Sequence, residues 1–165
     1  MTQPAPSPTP APKMLSFENV ELYYDHVYAL KGVSIEMHEG ETVALIGANG
    51  AGKSSILRAI TGLRRIKSGQ ITYMGERIDG RPAAEIVRKG IAMVPEGRRV
   101  FPLMSVKDNL LMGAFTRTDK PGIEATLENV VTRFPRLKER FHQQASTLSG
   151  GEQQAVMIGR AIHFG

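Results

Sequence analysis

Thr42-Val43-Ala44-Leu45-Ile46 followed by Gly47-Ala48-Asn49-Gly50-Ala51-Gly52-Lys53-Ser54 is the stretch on which the fold turns. An apolar run of strand type leads into a turn with the pattern Gly, four residues, Gly-Lys-Ser. Three glycines in six residues let the backbone bend tightly and turn successive N–H groups inward. A helix starting near Lys53 points its partial positive end at the same place. This is a phosphate cradle: residues Gly47, Ala48, Asn49, Gly50, Ala51 and Gly52 provide backbone donors, and Lys53 reaches the terminal phosphates of a nucleotide. The Ser54 hydroxyl is of the type that ligates magnesium, and Ser55 adjoins it. The plain alternative is a strand-to-helix turn that happens to precede Lys-Ser. The flanks argue against it, since Ser55-Ile56-Leu57-Arg58-Ala59-Ile60 repeats its apolar residues at helical spacing.

With 165 residues and 41% hydrophobic content, the chain is long enough for one domain with a real core. No apolar run approaches the roughly 20 residues of a membrane span, and the amino terminus lacks the basic-then-apolar order of a secretory signal. Without cysteine there is neither a disulfide framework nor a zinc-thiolate site. The net charge of +5 comes from scattered residues. Only Arg64-Arg65, Arg88-Lys89 and Arg98-Arg99 are adjacent, with no aromatic residues between them to stack bases, so nucleic acid is not an expected partner.

Residues 1–13 carry proline at every second position from Pro4 to Pro12 and read as a disordered, solvated tail. Leu15, Phe17, Val20 and Leu22 predict a strand interrupted by a bend, and Gly32 to Met37 predicts a second strand. Thr42–Ile46 reads as a buried strand, Gln70–Met74 as another, and Pro82–Lys89 as a short helix. Ile91-Ala92-Met93-Val94, closed by Pro95, has the look of a central strand whose end faces a ligand crevice. Helical spacing dominates from Ser105 to about Ile162, with Ser105 capping Val106–Met112, a middle helix over Ile123–Phe134 and a last one starting near Gly151.

Leu148-Ser149-Gly150-Gly151-Glu152-Gln153-Gln154 opens that last helix. Ser149 and the N–H groups of Gly150 and Gly151, at a helix amino terminus, form a second anion cradle. Taken with the phosphate loop about 100 residues upstream, this resembles the signature sequence of ATP-binding-cassette (ABC) ATPases. The resemblance implies an α/β P-loop core with an antiparallel β layer and a helical subdomain over roughly 103–150. It implies ATP and magnesium as ligands and a head-to-tail dimer in which the Ser149 cradle of one subunit closes on nucleotide held by the other. Tyr24 falls where the family stacks an aromatic ring on adenine, with Tyr23 and Tyr28 as neighbouring candidates; an edge-strand aromatic is the bland reading. Glu96, in Val94-Pro95-Glu96-Gly97-Arg98-Arg99-Val100-Phe101-Pro102, stands where most members have a glutamine that contacts magnesium and the attacking water.

The Val-Pro-Glu-Gly-Arg-Arg-Val-Phe wording resembles ATPase subunits of branched-chain amino acid importers. That implies a permease partner coupled through Glu96 to Phe101, and a cytoplasmic place at the inner face of the cell membrane. The family's strand ending in Asp-Glu, which carries the hydrolytic general base, and its switch histidine have no counterpart in residues 1–165. The domain over 14–165 is therefore expected to be incomplete on its carboxyl side and deficient in hydrolysis, with the Leu45 and Met93 strands left without neighbours. Two other readings are open to these residues: a non-catalytic nucleotide-binding fragment, and a cassette acting on nucleic acid or ribosomes. The four histidines show no metal-ligand spacing.

Overall fold

Two twelve-residue strands, β1 (Lys13–Tyr24) and β2 (Val27–His38), form an antiparallel hairpin through the turn at Asp25 and His26. The computed structural model describes residues 12–97 and 99–164, the last by its backbone alone; the proline-rich residues 1–11, Arg98 and Gly165 lie outside them. Lys13, expected in the tail, belongs to β1, and Pro12 accepts a hydrogen bond from Glu39 N–H; the expected tail otherwise falls on residues outside those described. The bend in β1 is a bulge: Asn19 adopts φ 47° where the pairing register slips between Phe17 and Val20. One extra residue moves the inward set from Phe17 to Val20 and Leu22, all three fully buried.

β3 (Ser68–Tyr73) pairs with the other edge of β1, and β4 (Glu76–Arg77) with β3, giving an antiparallel sheet of order β2-β1-β3-β4. Gly69 faces the bulge at φ 89°, where a Cβ would come within 2.5 Å of the Glu18 and Asn19 carbonyls. Helix α1 (Lys53–Ile60) lays Ile56 and Ala59 against β2, and α2 (Ala83–Arg88) buries Ile86. With Phe17, Leu22, Leu30, Ile71 and Ile78 these side chains make the first core.

Contacts divide the chain after Ile86 into two compact units, each of which is described by itself. The second is helical: α3 (Val106–Leu111) with a 3-10 turn over Met112–Ala114, α4 (Lys120–Arg133), α5 (Pro135–Glu139), a 3-10 turn over Ala145–Thr147, and α6 (Gly150–Phe164). Ser105 caps α3 by accepting from Asp108 N–H at 3.1 Å. Val106, Leu110, Val130, Val131, Leu137 and Val156 form its core. Gly159 lets α6 lie against Leu110 and Val130, whose methyls would stand 2.7 and 2.8 Å from an added Cβ.

Two expected strands are corrected. Neither Thr42–Ile46 nor Ile91–Val94 joins the sheet, and Ile46 is 94% exposed. A run apolar on both faces forms a strand only when neighbours pair with both its edges and layers cover both its faces. Neither described unit provides such neighbours for its run.

Candidate functional site: two glycine-rich cradles

The loop Gly47–Gly52 reaches α1 through two left-handed glycines, Gly50 at φ 86° and Gly52 at φ 92°. Gly52 has no room for a side chain, since an added Cβ would lie 2.8 Å from Leu30 Cδ2 and 2.9 Å from the Ala29 carbonyl. These conformations turn the N–H groups of the loop toward one side, the concave arrangement that receives anions. Lys53 Nζ donates to the carbonyls of Gly47 at 2.7 Å and Ala48 at 2.8 Å, so the ammonium spans its own loop. Ser54 follows within the first turn of α1, half-buried, and Ser55 is buried.

Tyr24 lies at the end of β1, half-buried, with the Arg64 guanidinium 4.7 Å from its ring centroid. Arg58 Nη1 approaches its hydroxyl at 3.5 Å. Burial raises the Tyr24 phenol, but hydrogen bonds from Ser55 and Arg58, with the charges of Arg58 and Arg64, outweigh it and hold the group below its ordinary value. Tyr23 and Tyr28 instead stack on each other at 4.3 Å as a cross-strand pair. Tyr28 donates to Glu21, the main reason its phenol is pushed above the usual range.

The second cradle belongs to the helical unit. Ser149 and Glu152 form a reciprocal cap: Ser149 N–H donates to Glu152 Oε2 at 2.8 Å, and Ser149 Oγ accepts from Glu152 N–H at 3.4 Å. The Ser149 N–H, then its hydroxyl, then the charges of Arg140 and Arg136 hold the Glu152 carboxyl below the usual carboxylate range. Gln153 Nε2 ties the same turn to the carbonyls of Ala145 and Leu148, both at 3.2 Å. Gly151 faces open space. A groove of about 720 Å³ brings Glu96 and Gly97 together with Gly150, Gly151 and Gln154.

Three features escaped the sequence reading. Asn109, fully buried, accepts from Phe101 N–H at 2.8 Å and donates to the carbonyls of Phe101, Met104 and Ser105. Arg64 on Tyr24 joins residues forty positions apart, a pairing with no local signal. His163 is fully buried with neither ring nitrogen hydrogen-bonded, and burial, then the nearby Arg117 charge, lowers its pKa.

Residues 30–163 match the ABC transporter family. The high-affinity branched-chain amino acid transport ATP-binding protein BraG of Pseudomonas aeruginosa is 52% identical over 149 residues, which cover 90% of this chain and 64% of BraG. The sn-glycerol-3-phosphate import ATP-binding protein UgpC of Vibrio cholerae is 40% identical over 151 residues, 90% of this chain and 40% of UgpC. Among solved structures, an ATP-binding cassette of an ABC transporter in its ADP conformation superposes with a TM-score of 0.80 at 27% identity, covering 93% of this chain and 66% of that one. The chain thus spans just under two thirds of BraG's length. Its phosphate loop, its Ser-Gly-Gly helix start and the match over residues 30–163 agree, and the chain belongs to the ABC transporter family.

Proposed function

We propose that these residues form the nucleotide-capturing part of an ATPase subunit that powers uptake of amino acids, branched-chain ones in particular, through a membrane permease. The observation that carries the ATP reading is the phosphate loop: left-handed Gly50 and Gly52 stand immediately before the start of α1, with Lys53 across them. That arrangement fits a polyphosphate, because it offers backbone donors, a helix amino terminus and one ammonium. The substrate class rests on the 52% identity with BraG. UgpC, named for a different solute, shares 40%, so the loops that bind nucleotide do not themselves select the cargo.

Lys53 holds the terminal phosphates in this reading, and Tyr24 presents an aromatic face to the base. Ser54 and Glu96 each offer an oxygen donor of the hard kind magnesium takes, and bound magnesium would supply charge neutralisation at the phosphates. Ser149, Gly150 and Gly151 form the cradle that one subunit presents to nucleotide held by its dimer partner. The general base of hydrolysis is assigned to none of these residues. No helix among the described residues is long and apolar enough to cross a membrane, so attachment at the inner face is assigned to the permease.

Thermal melts with and without Mg-ATP test this. A competent site gains about 2.7 kcal/mol at ligand 100-fold above its dissociation constant. Lys53→Ala is expected to abolish the shift; an equal shift in the variant would remove Lys53 from the site. Tight, salt-steep binding of RNA or DNA would replace the importer reading with one on nucleic acid.

A further inference from the structure

Two residues of the segment after Glu96, Arg99 and Phe101, have their backbone groups held by side chains, and the holders come from two helices. Arg99 N–H points at Met157 Sδ at 3.2 Å, and the Arg99 carbonyl accepts from Arg160 Nη2 at 2.9 Å. Two residues on, Asn109 of α3 takes both the N–H and the carbonyl of Phe101, at 2.8 and 2.9 Å. The Arg160 guanidinium also lies 5.2 Å from the Phe101 ring centroid, within cation–π range. Irregular chain of this kind ordinarily gives its polar groups to water. Here it gives them to α6 and α3.

The α6 side of this clamp is rigid. Gly113 is the only residue type its position admits, since a Cβ there would run into the Arg160 carbonyl, and one residue earlier Gly159 packs on Leu110 and Val130. The helical turn carrying Met157 and Arg160 is therefore fixed to the core of its unit. The same helix begins at Gly150, directly after the capping residue Ser149.

We infer that Arg160 is a positioning residue: it locks the backbone of Arg99–Phe101 to α6, so that displacement of the Glu96 segment and movement of the Ser149–Gly151 cradle are one motion. This rests on the proposed ATPase reading, in which that segment faces the permease and that cradle faces nucleotide. Loss of the Arg160 link is then expected to spare nucleotide capture and to slow the step that needs both cradles in place.

The test uses the full-length protein. Arg160→Met removes the donor and the charge but keeps a flexible stem, and Arg160→Lys restores both donor and charge. The expected result is a fall in kcat of about 10-fold or more in Arg160→Met. KM for ATP and the Mg-ATP melting shift should stay within about 2-fold, with most of kcat recovered in Arg160→Lys. An unchanged kcat, no recovery in the lysine variant, or a parallel loss of kcat and ATP affinity would overturn the assignment. Amide exchange in the nucleotide-free wild-type protein judges the clamp even where a variant fails to fold or the ATPase reading fails. The Arg99 and Phe101 amides should open with the same free energy as the interior of α6, and exchange at loop rates would refute the clamp.

Discussion

Gly50 and Gly52 share a sign of φ but not a surrounding, and the difference can be measured. Nothing lies within 4 Å of a Cβ placed on Gly50, so Gly50→Ala bears only the left-handed backbone cost of about 1 kcal/mol. Gly52→Ala adds overlap with Leu30 and the Ala29 carbonyl, and urea unfolding should show a loss roughly twice as large. At Asn109, alanine would strand the Phe101 N–H and carbonyl, a loss of about 3 kcal/mol by the same measurement. Asn109→Asp should be worse than alanine, because a carboxylate accepts from Phe101 N–H but places its charge against three carbonyls. The turn into α1 was legible because left-handed backbone at Gly50 and Gly52 constrains residue type at fixed spacing before a helical run. Asn109 was not, since a polar residue between Asp108 and Leu110 reads as a helix surface until the fold places Phe101 over it.

Among the elements, α6 depends most visibly on its start. Ser149→Ala should cost about 1 kcal/mol, seen in urea unfolding, through loss of the oxygen that accepts from Glu152 N–H. Glu152 gives the cap a pH dependence. Its folded pKa lies below the ordinary value of 4.5, so the charged form favours folding. That contribution is complete above 4.5 and is lost as pH falls through the folded value. Glu152→Gln should flatten this part of the acid limb of a stability-against-pH curve. Element type was largely readable: the switch in alternation between Phe17 and Val20 announces the bulge, and Ser105 announces α3. The runs at Thr42–Ile46 and Ile91–Val94 were misread because strand status is a property of neighbours, and hydropathy alone carries no record of them.

For the molecule as a whole, His163 should leave a mark on stability near neutrality. Its ring is buried without hydrogen-bond partners, and its folded pKa lies below 6.5. Above pH 6.5 the ring is neutral in both folded and unfolded states and stability is undiminished. Below it the unfolded chain takes up a proton that the folded chain resists, so stability falls until pH passes the folded value. Unfolding curves from pH 7.5 downward should show this slope, and His163→Leu should remove it. The sequence placed His163 correctly in a helical run after the signature, but its burial depends on the packing of the whole helical unit. Family membership was legible from two short motifs for the opposite reason, since each keeps its chemistry within a few residues of chain.

Lys53 bridging Gly47 and Ala48 also changes what a calorimeter would record at this loop. In the proposed reading, nucleotide would not meet a bare ammonium: two of its three N–H donors already serve peptide carbonyls, so any phosphate oxygen that takes one of those two would replace a carbonyl, and the heat released would be a difference between two sets of bonds. Such an exchange would leave the carbonyls of Gly47 and Ala48 to find water. Weak heat with firm affinity is the calorimetric pattern to expect of such a loop, and a small enthalpy would be no evidence of a poor fit.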